Sequence, residues 1–208
     1  MRREPEEKQR DPERTKARIL DAALAEFAAK GFAGARVSEI AGRAGVNKQL
    51  ISYYFGGKEG LYQALTSHWR REEGAFADRG APLGRLVADY VQANSTHRDF
   101  GRLMVWHGLT DDGQGAPAME EDFSHDVEHL RRRQEAGELP ADVDPSVVLL
   151  ALFAMAGVGV SFPQLVRAVT GLDPASPEFA GYYAGQIERL VGHLRARPGA
   201  GPGDVPAP

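Results

Sequence analysis

The run from Val37 to Lys58, VSEIAGRAGVNKQLISYYFGGK, constrains the fold of this 208-residue chain more than any other segment. Its first half contains three apolar residues at helical spacing, Ile40, Ala41 and Ala44. That spacing is typical of a short amphipathic helix. Gly45 follows at once, where a glycine commonly ends a helix. Asn47 is a favourable N-cap for a second helix over residues 48–55. The run therefore predicts two short helices joined by a tight turn.

This arrangement predicts a helix-turn-helix, in which the first helix supports the second and the second enters the major groove of DNA by its N-terminal turn. The second helix directs Phe55, together with Leu50 or Ile51, towards the core. Four polar side chains remain for solvent or a ligand: Lys48, Gln49, Ser52 and Tyr53. Lysine can donate to O6 and N7 of guanine, and glutamine can pair with N6 and N7 of adenine.

The longer segment FAGARVSEIAGRAGVNKQLISYYFGGKEGLY resembles the DNA-binding domain of TetR-family transcriptional regulators. The matching elements are Gly31-Phe32, Ile40-Ala41, Ala44-Gly45-Val46, Tyr54-Phe55, Lys58-Glu59 and Leu61-Tyr62, and the resemblance covers about residues 12–65. It implies a ligand-responsive homodimeric repressor of transcription that binds an operator of double-stranded DNA. The expected DNA-binding residues are Arg36, Ser38, Asn47, Lys48, Gln49, Leu50, Ser52, Tyr53, Tyr54 and Lys58. We expect Lys48, Gln49 and Ser52 to read bases.

Two positions depart from the family's pattern. The family often has Thr or Ser near positions 35 and 36, as helix cap and phosphate contact, whereas this chain has Ala35 and Arg36. The charge of Arg36 suits a direct phosphate contact, but the cap of the helix that begins there is left unexplained. Leu50 stands where a small hydroxyl residue is common. It either touches a thymine methyl group or belongs to the core.

Charge is divided unevenly along the chain. The formal net charge of −4 does not by itself suggest a DNA-binding protein. Residues 1–60 contain 12 Lys and Arg against 9 Asp and Glu, whereas the remaining residues contain 13 against 20. This asymmetry is compatible with a basic DNA-facing module on an acidic body. Composition drift in a chain rich in Ala, Gly and Arg is the simpler alternative.

The absence of cysteine excludes disulfides, thiol redox sensing and thiolate metal sites. The charged N-terminus lacks the apolar segment of a secretory signal. Residues 145–166 carry no charge, but Ser161 and Pro163 interrupt the apolar run before it reaches the roughly 18 residues of a membrane span. We interpret this stretch as a helix buried on all sides. We expect a cytoplasmic protein without membrane contact.

The chain is predicted to be all-α, with an N-terminal three-helix helix-turn-helix domain and a C-terminal helical bundle for ligand binding and dimerisation. The predicted domains are a disordered arm (1–11), the DNA-binding domain (12–57), the effector-binding and dimerisation domain (58–196) and a disordered Pro/Gly-rich tail (197–208). Outside the helix-turn-helix, helices are predicted at about residues 12–31, 58–79, 83–91, 100–109, 119–136, 146–169 and 179–194, the sixth bent at Pro163.

Operator specificity usually comes from a dimer that reads two half-sites of a palindrome roughly 34–36 Å apart. The surface that joins the subunits should be apolar and self-complementary. The last two predicted helices suit it best, and the resemblance places the dimer interface there as well. The expected interface residues are Val147, Leu150, Ala154, Gly157, Ile187, Leu190 and Leu194. The alternative is that these residues form only the core of one subunit.

The middle helices are expected to hold a pocket for a small-molecule effector, because clefts between helices of a bundle are common ligand sites. The expected lining residues are Trp69, Tyr90, Met104, Trp106, His107, Phe123 and Phe153. Gln92 and Asn94 are candidate polar anchors, and the composition favours an apolar or aromatic effector. Each of these residues taken singly is more often plain core.

No catalytic or metal centre is predicted. His125 and His129 share a helix face, which suits a metal, but their acidic surroundings favour a solvated helix surface. The sequence contains no nucleophile elbow, phosphate loop or convincing acid–base pair, so we expect neither an enzyme nor a cofactor. The rival hypothesis is a helical carrier whose N-terminal module binds another protein. An activator in place of a repressor is also compatible with the sequence.

Overall fold

A computed structural model of the chain describes residues 12–110 and 116–194. Within these ranges the secondary structure is helical and contains no strand, which confirms the predicted all-α class. The helices are α1 Pro12–Gly34, α2 Val37–Ala44, α3 Lys48–Phe55, α4 Lys58–Phe76, α5 Leu83–Thr96, α6 Arg98–Thr110, α7 Ala116–Glu135, α8 Pro145–Ser161, α9 Pro163–Thr170 and α10 Pro177–Gly192. The predicted arm (1–11) and tail (197–208) lie outside the described residues.

The first three helices enclose one apolar core. Ile19, Ala23 and Phe27 recur along one side of α1, and all three are fully buried. Ile40 of α2 and Ile51 of α3 are buried in the same cluster. Because branched and aromatic side chains from three directions meet here, the two helices of the helix-turn-helix are held at a fixed angle.

This core does not end with α3. Leu61 and Leu65 of α4 are buried in it, and so are Phe100 and Leu103 of α6. The N-terminal module therefore shares its apolar core with two helices that begin after residue 57.

The rest of the chain packs around α5. One face of α5 lies against α10 and α8, and the shared cluster consists of Leu83, Leu86, Val87, Leu130, Leu139, Val148, Leu152, Ile187 and Val191. The α4–α5 loop is held by Arg133, a buried residue of α7. Its guanidinium donates to the carbonyl oxygens of Arg79 and Ala81, both at 2.7 Å. It also pairs with Glu138, so its charge and its donors are satisfied inside the protein.

The helix predicted over 146–169 is two helices in the structure, α8 and α9, bent by 88°. Pro163 accounts for the break, because proline lacks an amide donor and disfavours helical geometry in the preceding residue. Phe162 accordingly has φ −132° and ψ 57°. Among the described residues no single helix is long and apolar enough to cross a membrane, although α8 and α9 pass that test as a bent pair.

The prediction that this segment is buried on all sides is wrong for the single subunit. Val148 and Leu152 face the core of the subunit and are buried, whereas Val147 and Leu150 are exposed. A helix that is apolar all round cannot bury every face against one core. The opposite face of α8 is therefore an apolar surface.

Candidate nucleic-acid interface

The N-terminal turn of α3 is capped and solvent-exposed. The side-chain oxygen of Asn47 accepts a hydrogen bond from the backbone N–H of Gln49 at 2.9 Å, so the predicted N-cap is confirmed. Gly45 ends α2 with φ 62°, in the left-handed region that glycine adopts without steric cost. Lys48 and Gln49 are both exposed. The turn thus offers one ammonium and one amide to a ligand.

The two apolar residues of this turn, Leu50 and Ile51, differ in their burial. Ile51 is fully buried and is the core residue. Leu50 is half-buried, so both of its predicted roles remain open. Ser52 is exposed beside them, and Phe55 is half-buried against the core at the end of the helix.

Two tyrosines continue the exposed face of α3. Tyr53 is 80% exposed, and Tyr54 is half-buried with its ring 5.1 Å from that of Tyr53. The ammonium of Lys16, on α1, lies 5.7 Å from the centroid of the Tyr54 ring. A basic side chain of α1 therefore stands next to the tyrosine pair, on the side of the module where phosphate contacts are predicted.

Lys58 is the first residue of α4, and its side chain contacts the end of α1. Its ammonium donates to the carbonyl oxygen of Ala33 at 3.3 Å and lies 4.7 Å from the centroid of the Phe32 ring. These contacts hold a positive charge at the N-terminus of a helix, a location that favours anions. The predicted phosphate contact of Lys58 stays a prediction.

The structure identifies what replaces the missing cap of α2. Arg36 occupies the N-cap position and its side chain makes no capping hydrogen bond. The backbone N–H of Arg36 instead donates to the carboxylate of Glu26, a buried residue of α1. Lys30 also donates to this carboxylate, at 2.7 Å. The bond from Lys30 and that from the Arg36 backbone hold the pKa of Glu26 below its usual value, against the opposing effect of burial.

The guanidinium of Arg36 has no acceptor and cannot cap the helix, and both Arg36 and Ser38 are exposed. The sequence analysis missed Glu26, because it lies ten residues before Arg36 and its spacing carries no capping signal. It also missed Arg18, which donates to the carbonyl oxygen of Ala44 at the last turn of α2. Together Glu26 and Arg18 fasten α1 to both ends of α2.

Comparisons with known proteins agree with this geometry. Residues 19–65 match the family model described as bacterial regulatory proteins of the tetR family. Residues 83–178 match the model described as the tetracyclin repressor-like C-terminal domain. The two matched segments together cover more than half of the chain. The chain belongs to the TetR family.

Relatives of this TetR-family regulator match along most of their length. It is 35% identical over 170 residues to the HTH-type transcriptional repressor SCO4008 of Streptomyces coelicolor, covering 78% of this chain and 86% of that protein. It is 30% identical over 192 residues to the HTH-type transcriptional regulator RutR of Escherichia coli K12, covering 85% and 88%. The crystal structure of SCO4942 from Streptomyces coelicolor superposes with a TM-score of 0.70 at 27% identity, covering 88% and 99%. The predicted resemblance is confirmed, and the chain is a helix-turn-helix transcriptional regulator.

The structure divides the residues expected to line the effector pocket of this TetR-family regulator into three groups. Trp69 and Tyr90 belong to one aromatic group, joined through Phe76 at ring-centroid distances of 5.9 and 5.3 Å. The hydroxyl of Tyr90 donates to Glu73 at 2.6 Å, and burial together with this bond raises the pKa of Tyr90. This group is a candidate for effector contact.

The other two groups lie elsewhere. The second group, Met104, Trp106 and His107, lies on α6 at its junction with the N-terminal module, where Met104 packs on the module's core. The indole N–H of Trp106 donates to the carbonyl oxygen of Ala28 in α1 at 3.2 Å, so Trp106 contacts the N-terminal module, and its place in an effector pocket stays a prediction. Phe123 and Phe153 pair edge to face at 6.3 Å, and both are exposed.

A small cavity lies between α5, α8 and α10. Its volume is about 10 Å³, about the room that one water needs. Asn94, one of the expected polar anchors, lines it and donates to the carbonyl oxygen of Ala156 at 3.1 Å. Gln92 is exposed and donates to the carbonyl oxygen of Ala180 at 3.3 Å. None of the seven residues expected to line the pocket lies at this cavity.

Most residues expected at the dimer interface lie on the exposed face of α8 and α10. Val147, Leu150, Leu190 and Leu194 are large and exposed. Ala154 is exposed, and Gly157 is half-buried. Ile187 differs from them, because it is 5% exposed and packs into the cluster around α5, so its place at the interface stays a prediction. The position of Ile187 on α10 directs it towards its own subunit.

One histidine of the pair on α7, His129, has a structural role. The Nε2 atom of His129 accepts a hydrogen bond from Nε of Arg133 at 2.9 Å. Burial and the nearby charge of Arg133 lower the pKa of His129, which favours the neutral ring. Among the described residues no three His, Asp or Glu side chains come together in an arrangement suited to a metal ion.

Proposed function

We propose that this TetR-family regulator is a homodimeric, effector-responsive repressor that acts in the cytoplasm on a palindromic operator. Residues 12–57 would carry DNA binding, and residues 58–196 would carry effector binding and dimerisation. The observation that carries the proposal is the capped, exposed N-terminal turn of α3 in a chain that also exposes an apolar face on α8 and α10. Repression, in preference to activation, is supported by the name of the relative SCO4008.

The dimer is supported by the amount and position of exposed apolar surface. Large apolar patches on a soluble protein usually mark interaction sites. On α8 the exposed residues Val147, Leu150 and Ala154 are three and four apart, so they form a single stripe. Leu190 of α10 and Leu194, two residues beyond the end of this helix, are four apart. Two such faces related by a two-fold axis would form a four-helix interface.

The two recognition helices of this dimer would enter successive major grooves on one face of the duplex. Lys48, Gln49 and Ser52 are the residues proposed to read bases, because they lie on the exposed side of α3. The phosphate contacts are assigned to side chains around it: Arg36, Ser38, Asn47, Tyr53, Tyr54 and Lys58. Leu50 would touch a thymine methyl group with the exposed part of its side chain.

An apolar or aromatic effector is proposed to bind near the aromatic group of Trp69, Phe76 and Tyr90, between α4 and α5. The ring of Trp69 stacks on that of Phe100 at 4.1 Å, so this group touches α6 as well. A ligand that prefers one arrangement of these helices would shift the protein between a DNA-binding and a released state. A displacement of α4 would then change the distance between the two recognition helices.

The experiment that tests the proposal is selection of genomic DNA. Purified protein is incubated with sheared DNA from its source at moderate salt, and the retained fragments are sequenced. Recovery of a palindrome with half-sites about one helical turn apart is the expected result. Retention without sequence preference, with affinity falling evenly as salt rises, would contradict it and favour the carrier hypothesis.

A further inference from the structure

The C-terminal half of α6 lies directly on the backbone of α1. The indole N–H of Trp106 donates to the carbonyl oxygen of Ala28 at 3.2 Å. Three residues further along α1, Gly31 has φ 67° and interrupts the helical geometry. A Cβ atom at Gly31 would lie 3.1 Å from Cε3 of Trp106, so the indole ring occupies the space that any other residue would fill. The positive φ and this close approach to the indole ring both favour glycine at position 31.

A second contact lies beside the first. Nδ1 of His107 lies 3.3 Å from the hydroxyl of Tyr62. The Tyr62 ring packs edge-on against Phe27 and Phe32 of α1, with ring centroids 5.6 and 5.3 Å apart. Adjacent residues of α6 thus engage both α1 and the start of α4.

The N-terminal end of α6 is fixed to the other side of the molecule. The guanidinium of Arg98 donates to the carbonyl oxygens of Pro174, at 2.6 Å, and of Gly159, at 3.4 Å. Gly101 lies against Val160, where a Cβ atom would be 3.2 Å from the valine methyl groups. Gly159 and Val160 belong to α8, which carries part of the proposed dimer face.

α6 has 13 residues and therefore spans about 20 Å. One helix thus connects the end of α8 to the back of the helix-turn-helix module. The chain itself passes from this module to the body only once, through α4. A module held at one point could turn about that point, whereas a second contact through α6 fixes its orientation.

We infer that Trp106 is a positioning residue that sets the orientation of the recognition helix relative to the dimer face, and so determines which half-site spacing the protein accepts. This inference rests on the proposed function. Trp106 is 38% exposed and lies at the edge of the junction, whereas Phe100 and Leu103 are buried in the core. Its removal therefore loosens the junction while the core residues stay in place.

The test begins with the operator selected by the wild-type protein. Binding is then measured on operators with identical half-sites whose spacer is shortened or lengthened by one or two base pairs. Trp106→Ala is expected to bind the optimal operator about tenfold more weakly, as for loss of a hydrogen bond and its ring contact. Its affinity for the off-spaced operators should fall less. The ratio of the affinity for the optimal operator to the affinity for the off-spaced operators should therefore decrease. Base preference within each half-site should not change.

Two further variants keep the test decisive. Trp106→Phe keeps a ring against Gly31 but lacks the N–H donor. The ratio of its affinities for the optimal and off-spaced operators should decrease less than in Trp106→Ala. Leu109→Ala changes a residue of the same helix that is 74% exposed, and it should match the wild type. Helicity and melting temperature are recorded for each variant, so Trp106→Phe carries the test if Trp106→Ala does not fold.

The outcomes separate the inference from the proposed function. If the wild-type protein selects no operator, the proposed function fails. If it selects a palindrome but the folded Trp106 variants keep the wild-type spacing profile, the inference alone is overturned. Equal losses at every spacing would also overturn it, because that pattern indicates a DNA contact or a general loss of folded protein.

Discussion

Leu150 offers the sharpest test of the proposed dimer. It lies in the middle of the exposed stripe of α8 and is 70% exposed in the subunit. Leu150→Ala removes three carbon atoms, each worth about 0.8 kcal/mol when it is buried. With 70% of the residue available for burial, the loss is about 1.7 kcal/mol for each subunit. The residue occurs twice in an isologous interface, so dimerisation should weaken by about 3.4 kcal/mol.

That loss corresponds to an increase in the dimer Kd of roughly 200- to 300-fold. The assay is sedimentation equilibrium over a series of protein concentrations, with helicity recorded to show that the subunit is folded. Because Leu150 is exposed in the subunit, the helix content of the variant should equal that of the wild type.

The matched control is again Leu109→Ala, which removes the same atoms from a leucine that is 74% exposed on α6, outside the proposed face. Its dimer Kd should stay within about threefold of the wild-type value. A folded Leu150→Ala variant that dimerises as tightly as this control would refute the reasoning, since Leu150 would then remain in solvent in the dimer.

Three further predictions concern other residues. Glu26→Gln should lower the free energy of unfolding at pH 7 by about 1–3 kcal/mol, because the carboxylate that holds the Arg36 N–H and Lys30 is lost. The folded protein lowers the pKa of Glu26. The contribution of the carboxylate to the free energy of unfolding is therefore complete above the unfolded-state pKa of about 4.3, and it disappears as the pH falls through the folded-state pKa. Urea titrations of both proteins between pH 3 and 7 measure it, and a difference independent of pH would count against the charged contact. Gln49→Ala should relax the preference for one base pair of the operator. Lys58→Ala should weaken binding to all DNA sequences and reduce the slope of log affinity against log salt concentration by about 1. An equal loss of affinity on all sequences for Gln49→Ala would rule out base reading by Gln49. Arg133→Met should destabilise the protein by about 3–5 kcal/mol in the same titrations, because it leaves Glu138 without its buried partner; an unchanged midpoint would show that this ion pair does not stabilise the fold.

Sequence reasoning succeeded where a structural feature depends on neighbouring residues. The end of α2 at Gly45 and the cap of α3 at Asn47 are set within one helical turn, so their residues are sufficient to predict them. The apolar stripe of α1 is likewise local, because its spacing alone shows which side of the helix faces the core. The helix-turn-helix was therefore predicted with its boundaries.

Features that join distant residues were not predicted. The cap of α2 comes from Glu26, and no short-range rule connects a carboxylate on α1 with an amide ten residues later. Trp106 was assigned to an effector pocket because an aromatic residue on a middle helix is compatible with a pocket and with a helix junction alike. The separation of α8 from α9 was foreseen only as a bend, since the strength of a proline break depends on what each half packs against.

The shared core of the N-terminal module has a consequence for how the protein is made. Phe100 and Leu103 complete the core around Phe27, and they are synthesised some seventy residues after it. A ribosome-bound chain that ends after α3 therefore has all of its DNA-reading residues but lacks part of the packing that holds them in place. The module that recognises the operator should mature only once α6 has emerged. For the same reason, a hybrid regulator cut between residues 57 and 58 would separate the module from four buried residues of its own core, Leu61, Leu65, Phe100 and Leu103.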